Sequence, residues 1–191
     1  MGSIERVTVY FDSPGDENTD RVLEAAKRRA EELGIRDVVV ASTRGETGVK
    51  ASKLFKGYNV IVVTHHTGFR RPNFKEMTEE YRRLIEEYGG KVYTGTHAFM
   101  NVERAIRNKF GTAYPTEIIA QTLRLFGEGM KVAVEIVAMA ADAGLISTDR
   151  DVISIAGTGR GADTAIVVKP ENSIRLFDMT VREVIAKPRM R

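Results

Sequence analysis

Hydrophobic and polar residues alternate in two distinct ways along the first half of the chain. β-branched runs predict four strands, at residues 6–11, 37–41, 59–63 and 91–94. Apolar residues at helical spacing predict three helices between them, at about 19–33, 47–55 and 74–88. The order βαβαβαβ predicts a three-layer α/β/α fold, in which helices cover both faces of a mostly parallel sheet.

The second half of the chain follows a different pattern. It predicts two helical pieces between about 102 and 126, and then a nearly all-apolar helix from Met130 to Ala143. Strands at 152–156 and 164–168 are joined by a loop too short to hold a helix, so they predict an antiparallel hairpin at the C-terminal side of the sheet. The basic residues within 187–191 are predicted to form a frayed tail.

Composition narrows the class of protein. A length of 191 residues suits a single domain, residues 1–191, and the absence of cysteine excludes disulfides, thiolate metal sites and a cysteine nucleophile. The 29 basic and 26 acidic residues are interspersed, which disfavours a nucleic-acid surface. No apolar run could span a bilayer and no signal segment is evident, so we expect a cytoplasmic protein without membrane contact. High charge without cysteine or tryptophan suits a thermophile.

The first candidate site is a loop that leaves one buried strand and opens a helix. Free N–H groups at a helix start and the helix dipole favour a bound phosphate, and an arginine adds a bidentate contact. An ordinary turn with Thr47 as the helix N-cap explains the same residues. Glu46 must point away from any phosphate. The residues assigned to the site are Ser42, Thr43, Arg44, Gly45, Thr47 and Gly48.

The second candidate is the Gly-rich loop of the hairpin. It runs into a strand rather than a helix, so it is not a dinucleotide fingerprint. Three glycines exceed what a plain hairpin needs and favour an anion-binding concavity over a simple turn. The residues assigned to it are Gly157, Thr158, Gly159, Arg160, Gly161, Asp163 and Thr164.

The third candidate follows the strand at 59–63, where ligands bind in parallel α/β sheets. Its residues are Thr64, His65, His66, Thr67, Gly68 and Phe69. Adjacent histidines on an extended segment point to opposite sides, and His97 is the one further histidine, so we predict no metal site. Phe69 and Phe99 either flank a planar ring or belong to the core.

Three charged residues interrupt the apolar helix: Lys131, Glu135 and Asp142. Lys131 and Glu135 are spaced i,i+4, and a satisfied structural pair is favoured over a buried site with shifted pKa values. No nucleophile elbow, Walker loop or zinc-protease helix is present, so catalytic residues stay unassigned and enzymatic activity stays open. The apolar helices between 116 and 145 predict a homo-oligomer.

These loops carry a family resemblance. The helix from Thr19, the strand and loop over 38–48, the helix containing Ala51, Ser52 and Lys53, and the strand over 60–64 resemble the C-terminal domain of pyruvate kinase. Residues 157–164 resemble the second effector loop of that domain. The chain as a whole is similar to stand-alone archaeal proteins with the same fold, in which flavin mononucleotide (FMN) occupies the ligand site.

The resemblance implies a phosphorylated small molecule as ligand, with FMN as the leading cofactor, its phosphate on residues 42–48 and 157–164, and its ring near His65, His66 and Phe69. A catalytic (β/α)₈ barrel needs about 250 residues, so we expect no phosphotransfer. A regulatory sensor of a sugar phosphate or nucleotide is the alternative. A nucleic-acid binder that uses the basic tail with Arg70 and Arg71 is a third class.

Overall fold

A computed structural model describes residues 2–190. The helices are α1 (Thr19–Leu33), α2 (Glu46–Leu54), α3 (Glu79–Glu87), α4 (Val102–Phe110), α5 (Pro115–Arg124) and α6 (Glu128–Asp142). The strands are β1 (Val9–Phe11), β2 (Asp37–Ala41), β3 (Asn59–Thr64), β4 (Lys91–Thr94), β5 (Val152–Ala156), β6 (Thr164–Lys169) and β7 (Thr180–Pro188). Two short 3₁₀ segments cover Asp16–Asn18 and Ser173–Asp178.

All seven strands belong to one sheet, in the order β1-β7-β6-β5-β2-β3-β4. Every neighbouring pair is parallel except for the two pairs that β6 makes with β5 and β7. The C-terminal ends of β2, β3, β4 and β5 therefore meet at one edge of the sheet, and β6 begins at the same edge. This edge is where an α/β sheet of this kind binds ligands.

The sheet is the middle of three layers, as the alternating pattern predicts. Val38, Val40 and Val62 pack on one face with the buried sides of α1, α2 and α3. Val39 and Ile61 face the other way, into a second core cluster with α5 and α6. The continuous apolar runs of β2 and β3 thus have a simple cause, since both of their faces are covered. The predicted fold class is confirmed.

The prediction of a frayed basic tail is wrong for its first two residues. Lys187 and Pro188 are the end of β7, paired with Tyr10 and Phe11 of β1. The Arg189 amide donates a hydrogen bond to the Phe11 carbonyl at 2.8 Å. Arg191, the last residue of the predicted tail, lies outside the described residues. The sequence pattern of β7 is irregular because the ladder between β6 and β7 shifts register twice.

Two further element boundaries differ from the prediction. Phe74 and Met77 precede α3, because the Thr78 side chain caps the helix by accepting from the Tyr81 amide at 3.2 Å. β1 is three residues long rather than six, since β7 offers partners to positions 9, 10 and 11 alone. Within residues 2–190, no helix is both long and apolar enough to cross a membrane.

Candidate functional site

A cavity of about 360 Å³ opens at the edge of the sheet where β2, β3, β4 and β5 end. Its volume falls in the range of small-molecule sites. Eleven of the sequence-predicted site residues line it: Ser42, Thr43, Arg44, Thr47, Thr64, His65, Phe69, Gly157, Gly159, Arg160 and Gly161. Eight do not line it: Gly45, Gly48, His66, Thr67, Gly68, Thr158, Asp163 and Thr164.

The loop between β2 and α2 places a helix start on the cavity. The Ser42 hydroxyl accepts from the Gly48 amide at 3.0 Å and so caps one donor of the first turn. The amides of Glu46 and Thr47 make no hydrogen bond within residues 2–190. Two donors at the positive end of the helix dipole thus remain available beside the cavity.

The two glycines of this loop serve packing rather than ligand contact. Gly45, at φ 127°, is the N-cap of α2, so Thr47 is not the N-cap that the alternative interpretation required. A side chain at Gly45 would collide with Tyr81 of α3. A β-carbon at Gly48 would lie 2.7 Å from Val62 Cγ1, so this glycine lets α2 pack closely on β3.

The hairpin loop is organised by one buried carboxylate. Asp163 is fully buried, and its Oδ2 accepts from the amides of Thr158 at 3.0 Å and Gly15 at 3.3 Å. The Thr164 hydroxyl donates to its other oxygen at 2.7 Å. Asp163, Thr158 and Thr164 therefore hold the loop in shape and do not face a ligand. Gly157, Gly159 and Gly161 present the backbone of this loop to the cavity.

The two loops lie side by side. Arg160, from the hairpin loop, is 3.3 Å from the Glu46 carboxylate at the start of α2 and 3.6 Å from Asp16. Glu46 therefore points toward Arg160, which balances its charge near the free amides. Arg44 and Arg104 also line the cavity, and neither makes an ion pair in the described part of the chain.

The third loop is fixed by Glu76, a residue that the sequence did not single out. Its two carboxylate oxygens lie 2.7 Å from His65 Nδ1 and 2.8 Å from Arg70 Nε. His65 Nε2 is 3.4 Å from the Thr43 hydroxyl, and the His65 ring stacks on Phe69 at 3.8 Å. Because a carboxylate only accepts, Nδ1 carries the hydrogen and Nε2 accepts from Thr43.

Burial, the largest effect, lowers the pKa of His65 below 6.5 despite the neighbouring carboxylate. The pKa of Glu76 is also lowered: burial alone would raise it, but the hydrogen bonds from Arg70 and His65 outweigh burial. The ring of His65 is therefore neutral at physiological pH, and it lies stacked on Phe69 in the wall of the cavity.

Other predicted residues of this loop have structural partners. The Thr64 hydroxyl is 2.7 Å from that of Thr94 on β4, and His66 Nδ1 bonds the Thr67 carbonyl at 2.8 Å. The rings of His65 and His66 both lie 5.6 Å from the ring of His97, and of these three residues His65 and His97 line the cavity. Among the described residues, no group of three or more potential ligands could hold a metal ion.

A buried ion pair on α6 also lines the cavity. Lys131 Nζ is 2.5 Å from Glu135 Oε2, which confirms the i,i+4 pair, and His97 Nδ1 is 3.3 Å from the same oxygen. The Phe99 amide donates to the other oxygen at 2.9 Å. Burial would raise the pKa of Glu135, but the His97 hydrogen bond and the Lys131 charge outweigh it and lower that pKa to about 2. Burial lowers the pKa of Lys131.

Four residues that line the cavity had no clear signal in the sequence: Glu76, Met100, Arg104 and Arg124. Met100 and Arg104 follow β4, and a search of the residues after every strand end would have included that segment. Glu76 lies far from any strand end, in a segment that the helical pattern assigned to α3. Arg124 reaches the cavity from the end of α5, and nothing in its sequence context distinguishes it from other arginines.

Comparison with known proteins gives one family. Residues 20–168 match the model of the pyruvate kinase alpha/beta domain. Among solved structures, O-ureido-L-serine synthase is similar at 23% identity and a TM-score of 0.31, over 65% of this chain and 39% of that one. An O-ureido-L-serine-bound mutant of the synthase gives the same identity and TM-score, over 65% and 38%.

This chain spans about two fifths of the length of the synthase, and a likeness at that TM-score carries no argument about fold or function. The family match is different in kind. It covers most of the chain, including all of the strands whose ends form the cavity edge and both of the adjacent loops. The chain therefore belongs to the family of the pyruvate kinase alpha/beta domain.

Proposed function

We propose that this protein binds a phosphorylated small molecule, FMN, in the cavity at the C-terminal edge of the sheet. The observation that carries the proposal is the unpaired amides of Glu46 and Thr47, which begin a helix beside the Gly-rich hairpin loop. Backbone N–H groups at a helix start are a general anion site. Arg44, exposed and without an ion pair within residues 2–190, adds a guanidinium to the same place.

The rest of the cavity suits a planar ring. His65 and Phe69 form a stacked pair at 3.8 Å in its wall, and the buried cluster of Lys131, Glu135 and His97 supplies polar groups next to that pair. The narrower resemblance, to stand-alone archaeal flavin-binding proteins, agrees with this division into phosphate loops and ring wall. When bound, the flavin would supply redox chemistry, and the protein would position it and tune its electronics.

The test is a fluorescence titration of the apoprotein with FMN and with riboflavin, which lacks the phosphate. We expect FMN to bind at least about tenfold more tightly, a difference of about 1.4 kcal/mol. Arg44→Ala should weaken FMN binding by a similar factor and leave riboflavin binding unchanged. Arg28→Ala is the matched control, since Arg28 is exposed on α1 and does not line the cavity. Equal affinities, or no binding of FMN, would overturn the proposal.

The family membership supports a second candidate, a regulatory sensor of a sugar phosphate or nucleotide. The two adjacent loops resemble the effector loops of the pyruvate kinase domain, and they need no ring in the cavity. A thermal-shift screen separates the two candidates because a ligand that binds the folded state raises the melting temperature. Stabilisation by sugar phosphates but not by FMN would favour the sensor.

A further inference from the structure

His97 is buried, with 7% of its surface exposed, and it lines the cavity. Its Nδ1 faces the Glu135 carboxylate at 3.3 Å, and a carboxylate can only accept, so Nδ1 carries the ring hydrogen. With the ring neutral, its Nε2 is a lone-pair acceptor. This atom is buried and has no hydrogen-bond partner among the described residues.

No neighbouring side chain can supply the missing donor. The closest rings, His65 and His66, have centroids 5.6 Å from that of His97. Both nitrogens of His65 are engaged, with Glu76 and with Thr43, and Nδ1 of His66 bonds a backbone carbonyl. An unmet buried acceptor is destabilising, so a donor from a bound molecule would be favoured at this position.

The place of His97 in the sheet limits which part of a ligand reaches it. The phosphate loops follow β2 and β5, whereas His97 follows β4, which is two strands beyond β2. His65 lies between them: its Nε2 is 3.4 Å from the Thr43 hydroxyl of the first phosphate loop, and its ring centroid is 5.6 Å from that of His97. The ribityl chain of FMN places five carbons between phosphate and ring, so a group beyond His65 meets the ring.

We propose that His97 Nε2 accepts a hydrogen bond from the imide N–H of a flavin ring. This inference rests on the proposed function and extends it. The imide is the only N–H of the oxidised ring, so it is the one ring donor that can meet a neutral imidazole acceptor. Glu135 fixes the tautomer of His97, and Lys131 and the Phe99 amide in turn fix Glu135. The specificity is therefore for a phosphorylated ligand whose distal end carries an imide donor.

The experiment compares FMN with its N3-methyl analogue, which has no imide hydrogen, in the unmodified protein. We expect FMN to bind about tenfold more tightly than the analogue. In His97→Ala, FMN affinity should fall and the ratio between the two ligands should approach one. Ser52→Ala is the matched control: the Ser52 hydroxyl is also buried and without a partner, but it lies outside the cavity, so both affinities should stay unchanged.

Each outcome separates this inference from the proposed function. Equal binding of FMN and the analogue to the unmodified protein would overturn the role of His97 and leave FMN binding in place. A ratio that persists in His97→Ala would place the discrimination elsewhere and overturn it as well. Absence of FMN binding would overturn both. Thermal melts of His97→Ala show whether the variant folds, and the analogue comparison in the unmodified protein does not depend on it.

Discussion

Two clusters of the same chemical kind line the cavity, and their histidine rings, those of His65 and His97, have centroids 5.6 Å apart. At the rim, Glu76 joins His65 to Arg70. At the inner wall, Glu135 joins His97 to Lys131. In each cluster a carboxylate receives the Nδ1 hydrogen of a histidine and balances a cation, so the two differ in environment rather than in composition.

The difference between them lies in how completely they are satisfied. In the rim cluster, His65 Nε2 has the Thr43 hydroxyl at 3.4 Å and Arg70 is 62% exposed. In the inner cluster, the cation is 3% exposed and His97 Nε2 has no partner in the described residues. The rim cluster is complete without a ligand and shapes its loop. The inner cluster leaves one buried acceptor without a partner in the described residues, which makes it the better candidate for recognition.

The largest effect should come from removing the inner carboxylate. Glu135→Ala leaves the Lys131 charge buried without a counter-ion, and we expect a loss of about 3–5 kcal/mol in the free energy of unfolding. Glu76→Ala should cost less, because Arg70 can return to water. Urea unfolding of the two variants measures both. Equal losses in the free energy of unfolding would mean that removing the inner carboxylate costs no more than removing the rim carboxylate.

A double variant tests whether the loss of stability in Glu135→Ala comes from the unpaired charge of Lys131. The double variant Lys131→Met with Glu135→Leu replaces the ion pair by apolar side chains of similar size, and such replacements are often neutral or stabilising. We expect it to be more stable than Glu135→Ala. A double variant as unstable as the single one would indicate that packing, and not the unpaired charge, dominates.

Acidification should weaken the protein in two steps. His65 and Glu135 both have folded-state pKa values below their ordinary ones, so each contributes stability that is present above the ordinary pKa and lost as pH falls. The His65 step begins below 6.5. The Glu135 step runs from 4.5 to about 2.

The two steps can be assigned by variants. Glu135→Gln cannot titrate, so its stability should fall less than that of the unmodified protein over the lower pH range. His65→Gln should remove the upper step. Unfolding free energies across the acidic range give the measurement. Glu76, Asp142 and Glu183 also have lowered pKa values, so part of the lower step should remain in Glu135→Gln. A lower step of undiminished size in that variant would assign it to these other carboxylates.

The smallest effect should come from making the rim cluster resemble the inner one. Thr43→Val removes the hydroxyl that His65 Nε2 accepts from, over a long hydrogen bond of 3.4 Å in a half-buried site. We expect a loss of about 0.5–1 kcal/mol. Thr67→Val is the control, since Thr67 is exposed and its hydroxyl bonds nothing in residues 2–190. A larger loss than this would show that the rim cluster also depends on a complete set of partners.

Local patterns predicted the layered fold because its causes are local. The apolar runs of β2 and β3, the periodicity of α1 and the i,i+4 spacing of Lys131 and Glu135 are all visible along the chain. The positions of the loops followed from one rule of topology, that parallel strands end at a common edge.

What the sequence did not predict depends on contacts between distant residues. Nothing near Glu76 in the sequence shows that His65 and Arg70 converge on it. The carboxylate that holds His97 Nδ1 belongs to Glu135 on α6, 38 residues further along the chain. Gly45 and Gly48 looked like ligand-binding glycines, but the approach of α3 and β3 explains them. Composition alone could not distinguish these two uses of glycine.

The position of β7 between β1 and β6 has a consequence for biosynthesis. β1 pairs with β7 alone, and β7 is the last part of the sheet to be translated. The first strand therefore has no partner while the ribosome makes the rest of the domain, although β2, β3 and β4 can already assemble with their helices. Closure of the sheet must wait for residues 180–188, and a nascent chain stalled before them would expose both Phe11 and the open edge of β6 to chaperones.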